Sequence, residues 1–174
     1  DPTDGEVHST KEGGAGLLEP TWDFDWKLPG AGKGLSYVSK PFTRTTVLSG
    51  PGYADLYLRV PDGDADVQVT VSLIRPDNTE WHVTSGLLRL SDRKVDAKRS
   101  KGLRIERTFT KEDSSPMPAG GFRSAKVSLP TFAQVFRPGD RLRIIVASPG
   151  RDFAEWAFTT IGDAGTPRDV AWGG

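Results

Sequence analysis

Cysteine is absent from this sequence of 174 residues, and histidine occurs only twice. Without cysteine the chain cannot form disulfide bonds, a thiolate nucleophile or a cysteine-ligated zinc site. It also lacks an apolar run near the ~20 residues of a transmembrane helix and a recognisable signal peptide. We expect no membrane span, while the compartment stays open between cytoplasm and secretion because many secreted proteins also lack cysteine.

An excess of either charge is absent as well. Lysine and arginine together number 23, and so do aspartate and glutamate, so no overall field attracts nucleic acid or an anionic membrane. The most basic segment, residues 93–101, contains Asp96 and no interleaved aromatic side chain, which is typical of a solvated loop. We therefore expect no nucleic-acid partner.

Catalytic patterns are missing too. No serine lies in the Gly-x-Ser-x-Gly sequence that holds the nucleophile of an α/β-hydrolase on a strained turn. His8 falls in an irregular N-terminal stretch and His82 in an apolar strand pattern, and each is better explained as an ordinary histidine than as a general base. The sequence therefore predicts that this chain alone is not an enzyme and has no catalytic residue.

A short acidic stretch is the candidate metal site. Asp62, Asp64 and Asp66 alternate as at the start of an EF-hand loop, but the twelfth position, which should be acidic, is Leu73. A charged turn before a strand is the better interpretation, and we predict no metal and no cofactor. Calcium binding with another geometry stays open.

Glycine and proline, by contrast, are plentiful at 20 and 13 residues, as the turns of a multi-stranded β protein require. An Arg-Pro-Gly-Asp turn at 137–140 leads into a strand that places Leu142, Ile144 and Val146 on one face. Strand patterns recur at 35–39, 45–48, 53–60, 67–74, 81–84, 87–90, 103–109, 123–129, 141–148 and 155–161. Their spacing of ~8–12 residues predicts an all-β fold, an antiparallel β-sandwich.

We divide the chain into an irregular leader at 1–34 and a sandwich domain at 35–174. The leader contains more apolar surface than a free linker needs, so we expect it to pack across this domain or across a partner domain. The apolar residues concerned are Leu17, Leu18, Trp22, Phe24 and Trp26. At the other end, Val170 and Trp172 suggest a docked terminus. Because the chain begins at Asp1 rather than at methionine, we also expect a fragment of a longer protein.

The tryptophans raise an alternative of another class, a carbohydrate-binding module, because aromatic faces stack on sugar rings. The five lie at positions 22, 26, 81, 156 and 172, and their spacing does not show whether any two are coplanar. Core packing is the better explanation for Trp81 and Trp156, which sit in strand patterns.

Several segments, taken in order, resemble a known family. They are the leader from Asp1 to Leu18, Ser49 to Leu58, Asp64 to Val67, Arg75 to Asn78, Gly86 to Leu90 and Phe136 to Arg143. Together they resemble the C-terminal jelly-roll domain, galactose-binding-like in form, of bacterial serine hydrolases of the X-prolyl dipeptidyl-peptidase, cocaine esterase and α-amino-acid ester hydrolase group. Asp140 stands where that family often has histidine, Asn78 replaces a hairpin glycine, and the family's closing strand is absent.

This resemblance implies a division of labour. In the family the Ser-Asp-His triad lies on a separate N-terminal α/β-hydrolase domain, so the parent protein would hydrolyse esters or X-Pro peptides through an acyl-enzyme, and the jelly roll would cap that domain. The segment resembling residues 13–18 approaches the active site in family members, which makes Leu17 and Leu18 candidates for lining the substrate pocket; interdomain packing would explain them equally well. Trp22 and Trp26 are candidates for the interdomain surface. Homodimerisation stays open.

Overall fold

The computed structural model describes residues 26–30, 33–60, 63–150 and, for the backbone only, 169–171. These residues form seven strands, namely β1 (Gly34–Val38), β2 (Thr46–Arg59), β3 (Asp66–Ile74), β4 (Glu80–Arg89), β5 (Arg123–Phe136), β6 (Arg141–Ala147) and β7 (Asp169–Ala171). Every pairing is antiparallel, and the strands build a four-stranded sheet in the order β1-β6-β3-β4 and a three-stranded sheet in the order β5-β2-β7. The predicted antiparallel β-sandwich is confirmed.

The hydrophobic core lies between the two sheets. Alternate residues of β3, such as Val67 and Val69, meet alternate residues of β5, such as Ala125 and Val127, because successive side chains of a strand point to opposite faces. The remaining buried members are Leu58, Val60, Ala65, Leu88, Leu90, Met117 and Val146. Burying each Val- or Leu-sized side chain contributes about 1.5–3 kcal/mol before the entropy cost of ordering it.

The turn at 137–140 joins β5 to β6, as predicted. The backbone N–H of Arg137 donates to Oδ2 of Asp140 at 2.7 Å, and Asp140 is only 2% exposed. Gly139, at φ 91°, donates its N–H to the carbonyl of Phe42, whose own N–H donates to the carbonyl of Asp140. The turn is thus fixed to the chain between β1 and β2, and the carboxylate at position 140 satisfies a backbone donor inside it.

Three strands are longer than predicted. The segments 45–48 and 53–60 are one strand, β2, which continues through a bulge in its middle. β4 likewise unites two predicted segments, and β5 continues beyond its predicted end at residue 129. The docked end expected near Val170 is confirmed for the backbone, since β7 pairs with β2. The predicted strand at 155–161 lies outside the described residues.

The predicted strand at 103–109 is wrong. Its residues join neither sheet, and Leu103 and Phe109 are 60% and 71% exposed whereas Arg107 is 6% exposed. The segment lies beside the edge strand β5, where the Arg107 guanidinium donates to the carbonyl of Lys126. The polar Arg107 is therefore buried, whereas the apolar Leu103 and Phe109 are exposed, the reverse of a half-buried strand. The reason is that the sheet edge offers a backbone acceptor that an arginine can reach.

The long connection from β4 to β5 closes one end of the core. It brings Met117 into the core, where the N–H of this residue donates to the carbonyl of Gly63 at 2.5 Å. Helical structure in the described part of the chain is a single 3-10 turn at Leu90–Asp92. Nowhere in the described ranges is there a helix of the length and apolar character that crossing a membrane requires.

Candidate interdomain surface

Strand β3 is buried on both of its faces, although a sheet of a two-layer antiparallel sandwich commonly turns one face to water. Gln68, Thr70 and Ser72 alternate with the core residues of β3 and so point away from the core, yet they are 3%, 3% and 0% exposed. We call this side of the four-stranded sheet the outer face. Buried polar side chains require hydrogen-bond partners, and here β3 itself and the neighbouring strand β4 supply them.

One chain of hydrogen bonds runs from β3 to β4 across the outer face. The Gln68 side-chain amide donates to Oγ1 of Thr70 at 2.9 Å. The Thr70 and Ser85 hydroxyls lie 3.0 Å apart, and Ser85 Oγ is 2.7 Å from Nε2 of His82. The direct cross-strand pairing of Thr70 with Ser85 brings these groups together.

A second group joins three strands of the same sheet. The Ser72 hydroxyl donates to Oε1 of Glu80 at 2.5 Å, and Nε of Arg143 lies 3.1 Å from the same oxygen. The Glu80 and Arg143 side chains are 10% and 23% exposed, so this ion pair is more shielded from water than an ordinary surface pair. We refer to both groups together as the polar ladder.

Trp26 lies against the polar ladder. Its ring centroid is 5.9 Å from that of His82, and the two rings are tilted by 54°. Trp26 is half-buried, and it is the predicted site residue that the structure describes. Leu17, Leu18 and Trp22 lie outside the described residues, and their roles stay predictions.

The Ser85–His82 contact has the distance of a nucleophile and its base, but its surroundings differ from those of a catalytic pair. The Ser85 hydroxyl is shared with Thr70, and the His82 ring packs against Trp26. Two cavities on the described surface are lined by other residues. Ser85 and His82 therefore act as members of the polar ladder, consistent with the interpretation of His82 as an ordinary strand histidine.

Trp81 and Trp26 lie on opposite sides of the four-stranded sheet. Trp81 is paired with Leu73, which faces the core side, whereas His82 is paired with Ser72 on the outer face. Since directly paired residues share a face, these two tryptophans do not form a single stacking platform for a sugar.

Two carboxylates of the acidic stretch, Asp64 and Asp66, have structural roles, while Asp62 lies outside the described residues. One carboxylate oxygen of Asp64 accepts the N–H groups of Ala65 and Ser91, at 2.9 and 2.8 Å. Asp66 forms a bidentate pair with Arg89, both distances 2.9 Å, and this hydrogen bonding raises the pKa of Arg89. Within the described ranges no three histidine, cysteine, aspartate or glutamate side chains are grouped as a metal would require.

A groove that the sequence did not reveal lies at one end of the outer face. Its volume is about 220 Å³, and we call it the Phe109 groove. Its lining residues are Asp66, Leu87, Leu88, Arg89, Asp92, Phe109 and Pro149. Phe109 has φ 52°, a left-handed conformation that is uncommon for a bulky residue. The groove was missed because 103–109 was predicted as a strand, and a strand would have turned the Phe109 ring toward a core.

Several solved structures have a fold similar to that of this chain. No curated protein sequence matches the chain. Similar solved structures include a CocE/NonD family hydrolase from Staphylococcus aureus (TM-score 0.58, 18% identity, 69% of this chain and 25% of that chain). An aminopeptidase from the marine sediment archaeon Thaumarchaeota archaeon (0.53, 18%, 67% and 18%) and an α-amino acid ester hydrolase (0.56, 18%, 81% and 23%) are also similar.

At this identity the structural likeness shows the fold alone, and the chain spans about a quarter or less of each of those hydrolases. The family is shown by a second comparison. A family model described as the X-Pro dipeptidyl-peptidase C-terminal non-catalytic domain matches residues 4–160. This chain therefore belongs to the family of X-Pro dipeptidyl-peptidase C-terminal non-catalytic domains.

Proposed function

We propose that the chain serves as the accessory β-sandwich of a serine hydrolase that cleaves esters or X-Pro peptides. In this role it docks on an α/β-hydrolase domain of the same polypeptide and forms one wall of its substrate pocket. The observation that carries the proposal is the family match over residues 4–160 to a domain described as non-catalytic. The short span of this chain relative to whole hydrolases of similar fold supports a larger parent.

The chemistry of the domain fits a supporting role. The Ser85–His82 pair is committed to the polar ladder, so nucleophile and base would come from the other domain. An accessory wall acts on specificity, because contacts with the acyl or amino-terminal part of a substrate change its binding without supplying a proton or a nucleophile. Leu17 and Leu18 are the proposed pocket contacts, and Trp22 with Trp26 the proposed interdomain residues.

The first test identifies the parent. An antibody raised against this domain captures the native protein, and its intact mass is measured before and after reaction with a fluorophosphonate, which labels active serines. We expect a mass several times 18.9 kDa, with the label on a peptide outside residues 1–174. A native mass close to 18.9 kDa would contradict the proposal and favour an independent binding module.

The second test concerns specificity. In the parent enzyme, Leu17→Ala combined with Leu18→Ala is assayed on p-nitrophenyl esters of increasing acyl size and on X-Pro p-nitroanilides. We expect KM to rise about tenfold for the bulkier substrates while kcat changes little, since lost apolar contacts of this size are worth 1–3 kcal/mol. Leu28→Ala is the control, because Leu28 is an exposed leucine of the same stretch, at 42%. Equal effects of both variants would assign Leu17 and Leu18 to packing instead.

A further inference from the structure

The geometry points to the Phe109 groove as the docking site for the catalytic domain of the same polypeptide, with the Phe109 ring inserted into an apolar pocket of that domain. This inference rests on the proposed function and names the surface through which the two domains meet. It adds to the residues expected from the leader a feature outside it, since Phe109 belongs to the long connection between β4 and β5.

Exposure is the first observation. Phe109 is 71% exposed and Leu87, which lines the same groove, is 46% exposed. Single exposed apolar residues are ordinary on protein surfaces, but an aromatic ring beside an exposed leucine and a groove makes a contiguous apolar feature. Aromatic side chains of this kind are the typical anchors of interfaces.

The backbone of Phe109 is the second observation. Holding a residue other than glycine in the left-handed region costs on the order of 1–3 kcal/mol, and such strain persists only where the surroundings enforce it. Phe109 has a φ of 52°, and its side chain is mostly exposed. A conformation that is costly and exposes an aromatic ring has no benefit for the isolated domain, and so calls for a partner.

The neighbours of Phe109 hold that conformation in place. On one side, buried Arg107 donates to Ser128 Oγ at 3.0 Å and to the carbonyl of Lys126. On the other side, Thr108 Oγ1 donates to a carboxylate oxygen of Asp113 at 2.6 Å, and the Asp113 N–H donates to the carbonyl of Thr110 at 3.1 Å.

The Asp113 carboxylate completes this support. It also accepts a hydrogen bond from the ammonium group of Lys94. The hydrogen bonds from Lys94 and Thr108 lower the pKa of Asp113, so it stays ionised at neutral pH. Phe109 is therefore held between residues fixed to the sheet and to the loop. An anchor held in its bound conformation loses little entropy on docking, which favours binding.

The rim of the groove suits a protein partner. Arg89 and Asp66 form a bidentate pair at its edge, and Asp92 lies beside them. A polar, charged rim around an apolar centre is the common anatomy of a protein–protein interface. The groove also belongs to the outer face, on which Trp26 lies, so both features would contact a partner that covers this side of the sheet.

The occupant is the catalytic domain rather than a second copy of this chain. Hydrolases of similar fold have about three quarters or more of their length outside the region that this chain covers. A domain tethered in the same polypeptide reaches an effective concentration on the order of millimolar. A free second copy would have to compete with that concentration for the same surface.

Site-specific photo-crosslinking tests the inference. In the intact parent protein, position 109 carries benzoylphenylalanine, and cross-linked peptides are mapped after irradiation. We expect cross-links to the α/β-hydrolase domain of the same chain, and about tenfold fewer from the same probe at Leu103, which is also exposed but does not line the groove. Cross-links to a second copy, or equal yields at both positions, would overturn the docking site.

A variant pair supplies an independent readout. Phe109→Ala in the intact parent is expected to raise amide hydrogen exchange at residues 87–89 by about tenfold, because loss of an anchor opens the interface, while Leu103→Ala leaves it unchanged. No difference between the two variants would count against the inference. If the parent proves not to be a serine hydrolase, the proposed function fails; if it is one and cross-links from position 109 fall elsewhere, only the docking site fails.

Discussion

Gly86 of β4 packs directly against the main-chain carbonyl of Ser128 in β5, at the corner where an edge of one sheet meets an edge of the other. A Cβ atom added to Gly86 would lie 2.9 Å from the Ser128 carbonyl carbon and closer still to its oxygen. The neighbouring atoms belong to backbone, so they cannot rotate away as a flexible side chain would. Position 86 therefore requires glycine because there is no room for a Cβ atom.

Gly86→Ala should consequently destabilise the domain by about 3 kcal/mol or more, since a methyl group forced against backbone shifts two strands. Urea unfolding followed by tryptophan fluorescence measures the change. Gly52→Ala is the matched control in β2: its Cβ would lie 3.7 Å from Cδ1 of Leu129, an ordinary contact, and we expect a change within about 1 kcal/mol. Similar losses in both variants would contradict the close approach of β4 and β5.

Local sequence patterns predicted much of this fold. The alternation in 67–74 and the turn at 137–140 each correspond to an observed element, because period-2 burial and the conformational limits of proline and glycine act within a few residues. Joining 45–48 to 53–60 was missed, since glycine and proline between them indicate a turn, whereas the structure accommodates them in a bulge.

The candidate surface was harder to predict, because it depends on contacts between distant segments. Arg107 is buried beside an edge strand that begins sixteen residues later in the chain, at Arg123. No local sequence pattern predicts that an arginine is buried there as a hydrogen-bond donor. Gln68, Thr70 and Ser72 alternate with apolar residues, a pattern typical of a strand with one face in water, yet they are buried. Among the described residues, Trp26 is the predicted interdomain candidate, and it lies on the outer face; its contact with another domain stays a prediction.

Arg107→Met is expected to cost about 1–3 kcal/mol of unfolding free energy. Methionine keeps the apolar stem but leaves the Lys126 carbonyl and the Ser128 hydroxyl without this donor, and buried groups that lose a partner are expensive. Burial also lowers the pKa of Arg107. Arg104→Met, which removes an exposed pair with Glu106, should change stability by less than about 0.5 kcal/mol.

The shielded ion pair of the polar ladder gives a further prediction. Glu80→Ala removes the acceptor of both Ser72 and Arg143 and should destabilise the domain by about 2–4 kcal/mol, because a cation with little access to water is left without its partner. Replacing both charges at once, Glu80→Leu with Arg143→Met, should cost less than Glu80→Ala alone. Thermal unfolding of the unmodified domain, of Glu80→Ala and of the double variant measures these differences. A larger loss of stability in the double variant than in Glu80→Ala would contradict the pairing.

The pair of Asp55 and Lys126 on the outside of the three-stranded sheet predicts how stability changes with pH. Desolvation opposes ionisation of Asp55, but hydrogen bonds from Lys126 and Ser124 outweigh it and lower its pKa below 3.8. The hydrogen bond to Asp55 raises the pKa of Lys126 above 10.5. Both shifts mean that the folded state favours the ionised pair.

The sign of the pH effect follows from these directions. A lowered carboxyl pKa contributes stability above pH 3.8 that is lost as the pH falls through the folded value, and a raised ammonium pKa contributes stability below pH 10.5 that is lost as the pH rises through the folded value. The side chains are 38% and 31% exposed, so we expect a coupling of about 1 kcal/mol or less. A double-mutant cycle with Asp55→Asn and Lys126→Met should measure it at about pH 7 and find it smaller as the pH falls below 3.8. A coupling that keeps its size as the pH falls would show that the interaction does not depend on the charge of Asp55.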